Sequence, residues 1–181
     1  MTKLKLPRLL FYTTGLPGAG KTQFCTKLKE SSNVEHVSTD RISFDLFGHP
    51  GILTPSERQL IIKEAEYKME DLLGENKPVI YDATVGTEEW RNELKQFAAK
   101  LKVTLVPIYF KTPVDIAKQR ALTPRFGLTT KTWRVLTPKQ FEKKLSEYEQ
   151  PDTSEYLVIS GTDNFDKQLK CLLDFVDSAN H

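Results

Sequence analysis

The segment Gly15-Leu16-Pro17-Gly18-Ala19-Gly20-Lys21-Thr22 fills every fixed position of the pattern G-x-x-x-x-G-K-[ST]. Before it, residues 8–14 (RLLFYTT) are apolar and rich in strand formers. After it, residues 23–29 (QFCTKLK) carry apolar side chains at helical spacing. A strand, a glycine loop and a helix in that order make a cradle for phosphate, because the glycines let successive N–H groups point inward and the helix N-terminus adds positive partial charge. Gly15, Leu16, Pro17, Gly18, Ala19, Gly20, Lys21, Thr22 and Gln23 are therefore the expected nucleotide contacts. Lys21 is expected to reach the β- and γ-phosphates, and the Thr22 hydroxyl to ligate Mg²⁺.

A strand committed to such a loop needs parallel neighbours, and the rest of the chain supplies them. Val34–Ser38 reads as a second strand running into Thr39-Asp40-Arg41. An acidic residue at the carboxyl end of that strand lies where ligands collect in a parallel sheet, so Asp40 is the candidate general base. Ser38-Thr39-Asp40 also reads as a helix N-cap. Residues 44–53, with Gly48-His49-Pro50-Gly51, read as a loop. Thr54-Pro55-Ser56-Glu57 is a capping box opening a helix to about Leu73, with Leu60, Ile61, Ala65, Met69, Leu72 and Leu73 assigned to core. Pro78–Asp82 is a buried third strand ending in a carboxylate, the position that holds Mg²⁺ through water or orients an acceptor. Thr84 follows it.

A helix from Thr87 carries Trp90, Leu94, Phe97, Ala98 and Leu101 as a core stripe. Residues 103–110 form a fourth strand in which Pro107 demands a bulge or an unpaired side. Thr112-Pro113-Val114-Asp115 is expected to cap a short helix containing Lys118 and Arg120. Residues 121–136 mix proline, glycine, threonine and basic side chains, and fit a mobile lid over a triphosphate. A helix from Thr137 holds Phe141, Leu145 and Tyr148. A fifth strand (156–159) precedes a turn, 160–163, placed for an adenine ring, and a last helix spans about 165–177. Alternating strands and helices predict a three-layer α/β/α sandwich on a five-stranded parallel sheet, with the site at its carboxyl edge.

Composition bounds the partners. The 181 residues, 39% hydrophobic and 28% charged, suit one domain over 1–181. Nothing near the N-terminus has the apolar run of a signal peptide and no stretch would span a bilayer, so a cytoplasmic location is expected. Cys25 and Cys171 lack metal-ligand spacing and read as reduced packing residues; His36, His49 and His181 read as ordinary polar positions. Net charge is +2, yet residues 111–150 hold nine Lys or Arg against four Asp or Glu. Such clustering suits a polyanionic ligand, and equally a solvated basic face.

The sequence resembles the small phosphate-loop kinases related to the kinase domain of phage-type 5′-hydroxyl polynucleotide kinase, in the wider adenylate-kinase-like and zeta-toxin-like class. The likeness is carried by Gly15 to Thr22, by Ser38-Thr39-Asp40, by Val79–Thr84 with Arg91, by Thr112-Pro113 to Arg120 with Arg125, and by Tyr148-Glu149-Gln150-Pro151. It implies an ATP- and Mg²⁺-dependent transfer of the γ-phosphate to a hydroxyl. Asp40 would take the acceptor proton, Lys21 and Arg125 would stabilise the moving phosphoryl group, and Arg120 would lie near adenine. Thr22 and Asp82 would attend the metal, and Arg41, Asp82, Thr84 and Arg91 the acceptor. One departure stands out: the resembled kinases carry an arginine three residues after the catalytic aspartate, and this chain has Ser43. Three readings follow, namely a polynucleotide 5′-hydroxyl kinase, a kinase of a small hydroxylated metabolite or nucleotide sugar, and a nucleotide-binding regulator or NTPase without an acceptor.

Overall fold

A computed structural model describes residues 3–49, 53–83, 86–123 and 135–179. The elements are β1 (Leu9–Thr14), α1 (Lys21–Ser31), β2 (Glu35–Ser38), α2 (Thr39–Phe47), α3 (Pro55–Gly74), β3 (Val79–Asp82), α4 (Glu88–Lys100), β4 (Thr104–Lys111), α5 (Val114–Leu122), α6 (Pro138–Ser146), β5 (Leu157–Ser160) and α7 (Phe165–Ala179), with a 3₁₀ turn at Thr153–Glu155. The five strands pair in parallel in the order β2-β3-β1-β4-β5. The predicted sheet and its helical layers are thus observed.

Side-chain alternation divides the core. Phe11 and Ile80 face α1 and α7, packing with Phe24, Leu28, Leu172 and Val176. Their neighbours Leu10, Tyr12, Val79 and Tyr81 face the other way, onto Ile61, Ala65, Met69, Leu94 and Ala98 of α3 and α4. Since both faces are covered, the strands read as continuous apolar runs. Pro107 is accommodated at a boundary: it pairs with Tyr12 of β1, while β5 joins β4 only from Ile108 onward. The missing N–H therefore falls where the β5 ladder has not begun.

Three expectations need correction. The segment from Phe44 is not loop throughout, because α2 continues to Phe47 and closes on Gly48 at φ 77°. Its Ser38 cap and the burial of Ile42 outweigh the turn residues that follow. Leu60 is 53% exposed rather than core, lying one position outside the buried stripe Ile61, Ala65, Met69, Leu73. Cys171 is exposed, while Cys25 is buried as expected. Among the described residues, no helix is long and apolar enough to cross a membrane.

The core also sets a response to alkali. Tyr12 and Tyr81 are buried, and burial raises both phenols above the ordinary tyrosine value; Tyr12 is raised further by its hydrogen bond to the Tyr156 hydroxyl at 2.7 Å. Burial pushes Tyr148 up to about 12. Groups raised in the folded state favour folding below their unfolded value of about 10 and lose that contribution as pH climbs through the folded values. Buried Lys21 has the opposite sign, its ammonium depressed by burial, but only up to its ordinary 10.5. Urea midpoints should accordingly fall above about pH 10.5. Tyrosinate absorbance for these three residues should appear together with unfolding rather than before it.

Candidate active site

The phosphate loop is built by close backbone approaches. Gly20 caps α1 at φ 106°, with no side-chain cap and no acidic residue in the first turn, so the helix's N–H groups and dipole stay available to an anion. Lys21 bends back across the loop, donating to the carbonyls of Gly15 (2.8 Å) and Leu16 (3.0 Å). Burial lowers its pKa, and Asp82 is the strongest influence pulling the other way, with Asp40 also contributing. The ammonium therefore lies within the field of both predicted carboxylates.

The loop is clamped from the β4 and β5 side. Thr112, expected to cap α5, instead donates its hydroxyl to the Ala19 carbonyl at 3.0 Å, and Pro113 takes the cap position without a side-chain bond. Arg120 donates from Nη1 to the Gly161 carbonyl at 2.7 Å, joining α5 to the turn predicted to meet adenine. A side chain at Gly161 would come within 2.0 Å of the Thr112 hydroxyl and 2.1 Å of the Ala19 carbonyl. Loop, α5 and the β5 turn thus form one seat, with Arg120 at its rim.

At the other end of the sheet, Asp40 is exposed in the first turn of α2, just past the carboxyl end of β2. The cap itself is Ser38, which accepts from the Arg41 N–H. Arg41 turns along the helix to Asp45, at 2.9 Å and 3.2 Å. Ser43 is buried and donates to the His49 carbonyl at 2.8 Å. Asp82, 5% exposed, ends β3 with Oδ2 3.2 Å from His36 Nε2. His36 was legible only as a polar residue of β2; its relevance comes from register, since His36 pairs with Ile80 and so shares a sheet face with Asp82.

Arg91, predicted to meet the acceptor, is held in the structure by main-chain carbonyls. It is 5% exposed, and its Nη1 donates to the carbonyls of Glu149 (2.9 Å) and Gly86 (3.3 Å). The Glu149 N–H also bonds the Gly86 carbonyl at 2.9 Å, and its carboxylate accepts from the Glu88 N–H. The guanidinium therefore ties the start of α4 to the chain leaving α6. Arg91→Ala should cost about 1–3 kcal/mol by removing the guanidinium from the Glu149 carbonyl, the Gly86 carbonyl keeping the Glu149 N–H. A melting temperature lower by a few to about ten degrees, with nucleotide affinity retained in the folded protein, would express that role.

Thr84, Arg125 and most of the predicted lid lie outside the described residues. The ends of that segment meet: the Leu136 N–H donates to the Ala121 carbonyl at 3.0 Å, and Leu122 and Leu136 pack with Leu16 and Phe141. Leu122 and Leu136, at the two ends of the predicted lid, thus both lie against the phosphate loop at Leu16.

Comparison with known proteins places this geometry. A family model described as an AAA domain, AAA_33, matches residues 10–123. An unliganded sugar kinase from Janibacter sp. superposes with a TM-score of 0.68 at 15% identity, covering 94% of this chain and 95% of that one. The Mycobacterium tuberculosis APS kinase CysC, in complex with AMPPNP and APS, gives 0.66 at 17% identity, covering 94% and 98%. A chain of the Pnkp1/Rnl/Hen1 complex gives 0.58 at 21% identity over 74% of this chain, but only 44% of that one. At these identities the likeness is one of fold.

Proposed function

Because the chain belongs to the AAA-domain family whose model spans residues 10–123, a nucleotide-binding phosphate-loop fold, we propose that it is an ATP-dependent phosphotransferase acting on an acceptor hydroxyl. The observation that carries this is the phosphate-loop geometry, with the Lys21 ammonium held on the Gly15 and Leu16 carbonyls, while the paired carboxyl ends of β2 and β3 bring Asp82 and the first turn of α2, with Asp40, to one edge of the sheet. The donor set also fits Mg²⁺, a hard cation that takes a carboxylate and hydroxyl or water oxygens. Thr22 and Asp82 would hold it, and when bound it would neutralise charge on the β- and γ-phosphate oxygens.

In this reading the loop N–H groups and Lys21 hold the triphosphate, Lys21 exchanging its Gly15 and Leu16 carbonyls for phosphate oxygens. Asp40 accepts the proton of the acceptor hydroxyl as its oxygen bonds to the γ-phosphorus and the bond to the β-phosphate oxygen breaks, leaving ADP. A loose transition state needs charge and alignment more than covalent help. Arg125 would stabilise the transferring group, with Arg120 bordering the adenine.

The acceptor we assign first is the 5′-hydroxyl end of RNA or DNA, supported by the motif order and by the basic segment 111–150. A small hydroxylated metabolite is the second reading, and two side chains favour it. Ser43 is turned inward onto the His49 carbonyl and Arg91 onto Gly86 and Glu149, so neither grips the phosphate of an acceptor strand. Transfer of γ-labelled phosphate from ATP to a 5′-hydroxyl oligonucleotide, beside Lys21→Ala and a no-acceptor control, decides between them. Labelled oligonucleotide that vanishes in the variant supports the first reading; labelled metabolite from a cell extract supports the second. ATP hydrolysis that no hydroxyl compound diverts would sink both and leave a nucleotide-hydrolysing regulator.

A further inference from the structure

Cys25, His36 and Asp82 come from three different elements and meet on one face of the sheet. Register puts His36 level with Ile80 and Ser38 level with Asp82, so both side chains face α1. On α1 the buried stripe is Lys21, Phe24, Cys25 and Leu28. The sulfur, one imidazole nitrogen and one carboxylate oxygen all lie within 4.8 Å of one another, the single such group of metal-ligand atoms among the described residues.

A hydrogen bond accounts for the His36–Asp82 pair at 3.2 Å, but it does not involve the sulfur. Thiolate, imidazole and carboxylate are together the ligands of Zn²⁺ and similar borderline-soft ions, whereas Mg²⁺ takes oxygen alone. Bond lengths of about 2.0–2.3 Å in a tetrahedron set ligand atoms roughly 3.3–3.8 Å apart, so the widest separation here needs to contract by about 1 Å. The thiolate and carboxylate would balance the two charges of the ion. At the β2 edge of the sheet, His36 also lines a cavity of about 280 Å³ with Ser38, Arg41, Tyr67 and Asp71.

We propose that Cys25, His36 and Asp82 form a binding site for a thiophilic divalent cation of the Zn²⁺ type, with its fourth position open to water. Binding displaces the Cys25 thiol proton into solvent and forms the metal–sulfur bond without any redox change. The site exists whether or not the chain transfers phosphate. Its consequence for turnover rests on the reading above: a Zn²⁺ ion on Asp82 would withhold that carboxylate from Mg²⁺ and inhibit transfer.

The test is titration of the nucleotide-free chain with Co²⁺, read by the thiolate-to-cobalt charge-transfer band, then displacement by Zn²⁺ followed calorimetrically. One ion per chain is expected. Cys25→Ser should remove the band, His36→Gln should weaken Zn²⁺ roughly tenfold or more, and Cys171→Ser should change neither. Excess Mg²⁺ should leave Zn²⁺ in place. Absence of a band in the folded wild type, or one that survives in Cys25→Ser or disappears in Cys171→Ser, would overturn the site. If Cys25→Ser does not fold, undiminished affinity in folded His36→Gln overturns it equally. Metal binding without any labelled acceptor would sink the phosphotransferase reading alone, and labelling without metal binding would sink only this site.

Discussion

Asp40→Ala should reduce phosphoryl transfer about 10²–10⁴-fold while leaving ATP affinity within a few-fold of the parent, because a general base acts on the acceptor's proton and not on the triphosphate. The structure gives the test its contrast. Asp40 is exposed in the first turn of α2, where a carboxylate favours the helix dipole, but the cap oxygen is that of Ser38. The helix-dipole part of its contribution to stability is about 0.3–1 kcal/mol. Asp40 follows directly on the carboxyl end of β2, the edge of the sheet at which β3 ends in Asp82. Asp40→Asn keeps size and hydrogen bonding while removing the base, and should fall as far as the alanine variant. Steady-state transfer beside the dissociation constant of a fluorescent ATP analogue measures both quantities. Transfer near the parent rate in Asp40→Asn would reduce Asp40 to a helix-terminal charge.

What was legible in the sequence is what rests on local periodicity. The loop pattern fixed β1 and α1, and the segments read as the other four strands, residues 34–38, 78–82, 103–110 and 156–159, form β2, β3, β4 and β5 to within one residue at each end. The capping boxes at Thr54 and Thr137 both form. What spacing does not reveal depends on contacts distant in the chain. Thr112 sits where a cap residue belongs, yet a carbonyl 93 residues away claims its hydroxyl. Arg91 matched an acceptor-binding position, but its partners on the chain leaving α6 cannot be inferred from spacing. His36 gains meaning only once β2 and β3 are in register, since a shift of one residue would turn it to the opposite face. Leu60 shows the limit of a stripe drawn by eye: one helical position, about 100°, separates it from buried Ile61.

Gly18→Ala should be the most damaging single-methyl change in the phosphate loop, and a second glycine makes the cause separable. Both Gly18 and Gly48 have positive φ, 82° and 77°. The intrinsic penalty for a Cβ in that conformation, about 1–2 kcal/mol, is thus common to both. Their surroundings differ. Among the described residues a Cβ on Gly48 meets nothing within 4 Å, whereas on Gly18 it would lie 2.1 Å from the Ala117 carbonyl oxygen and 3.0 Å from the Ala121 nitrogen, both backbone of α5. No side-chain rotation relieves that clash; either the loop or α5 must move. Gly48→Ala should lower the melting temperature by only about 2–8 °C. Gly18→Ala should lower it by at least about 10 °C, or fold with α5 displaced, which opens the seat and weakens ATP at least about a hundredfold. The displacement would also break the Arg120 link to Gly161, so the adenine end loosens together with the phosphate end. Equal losses of stability in the two variants, with ATP binding intact in Gly18→Ala, would show that backbone strain alone matters and that α5 does not brace the loop.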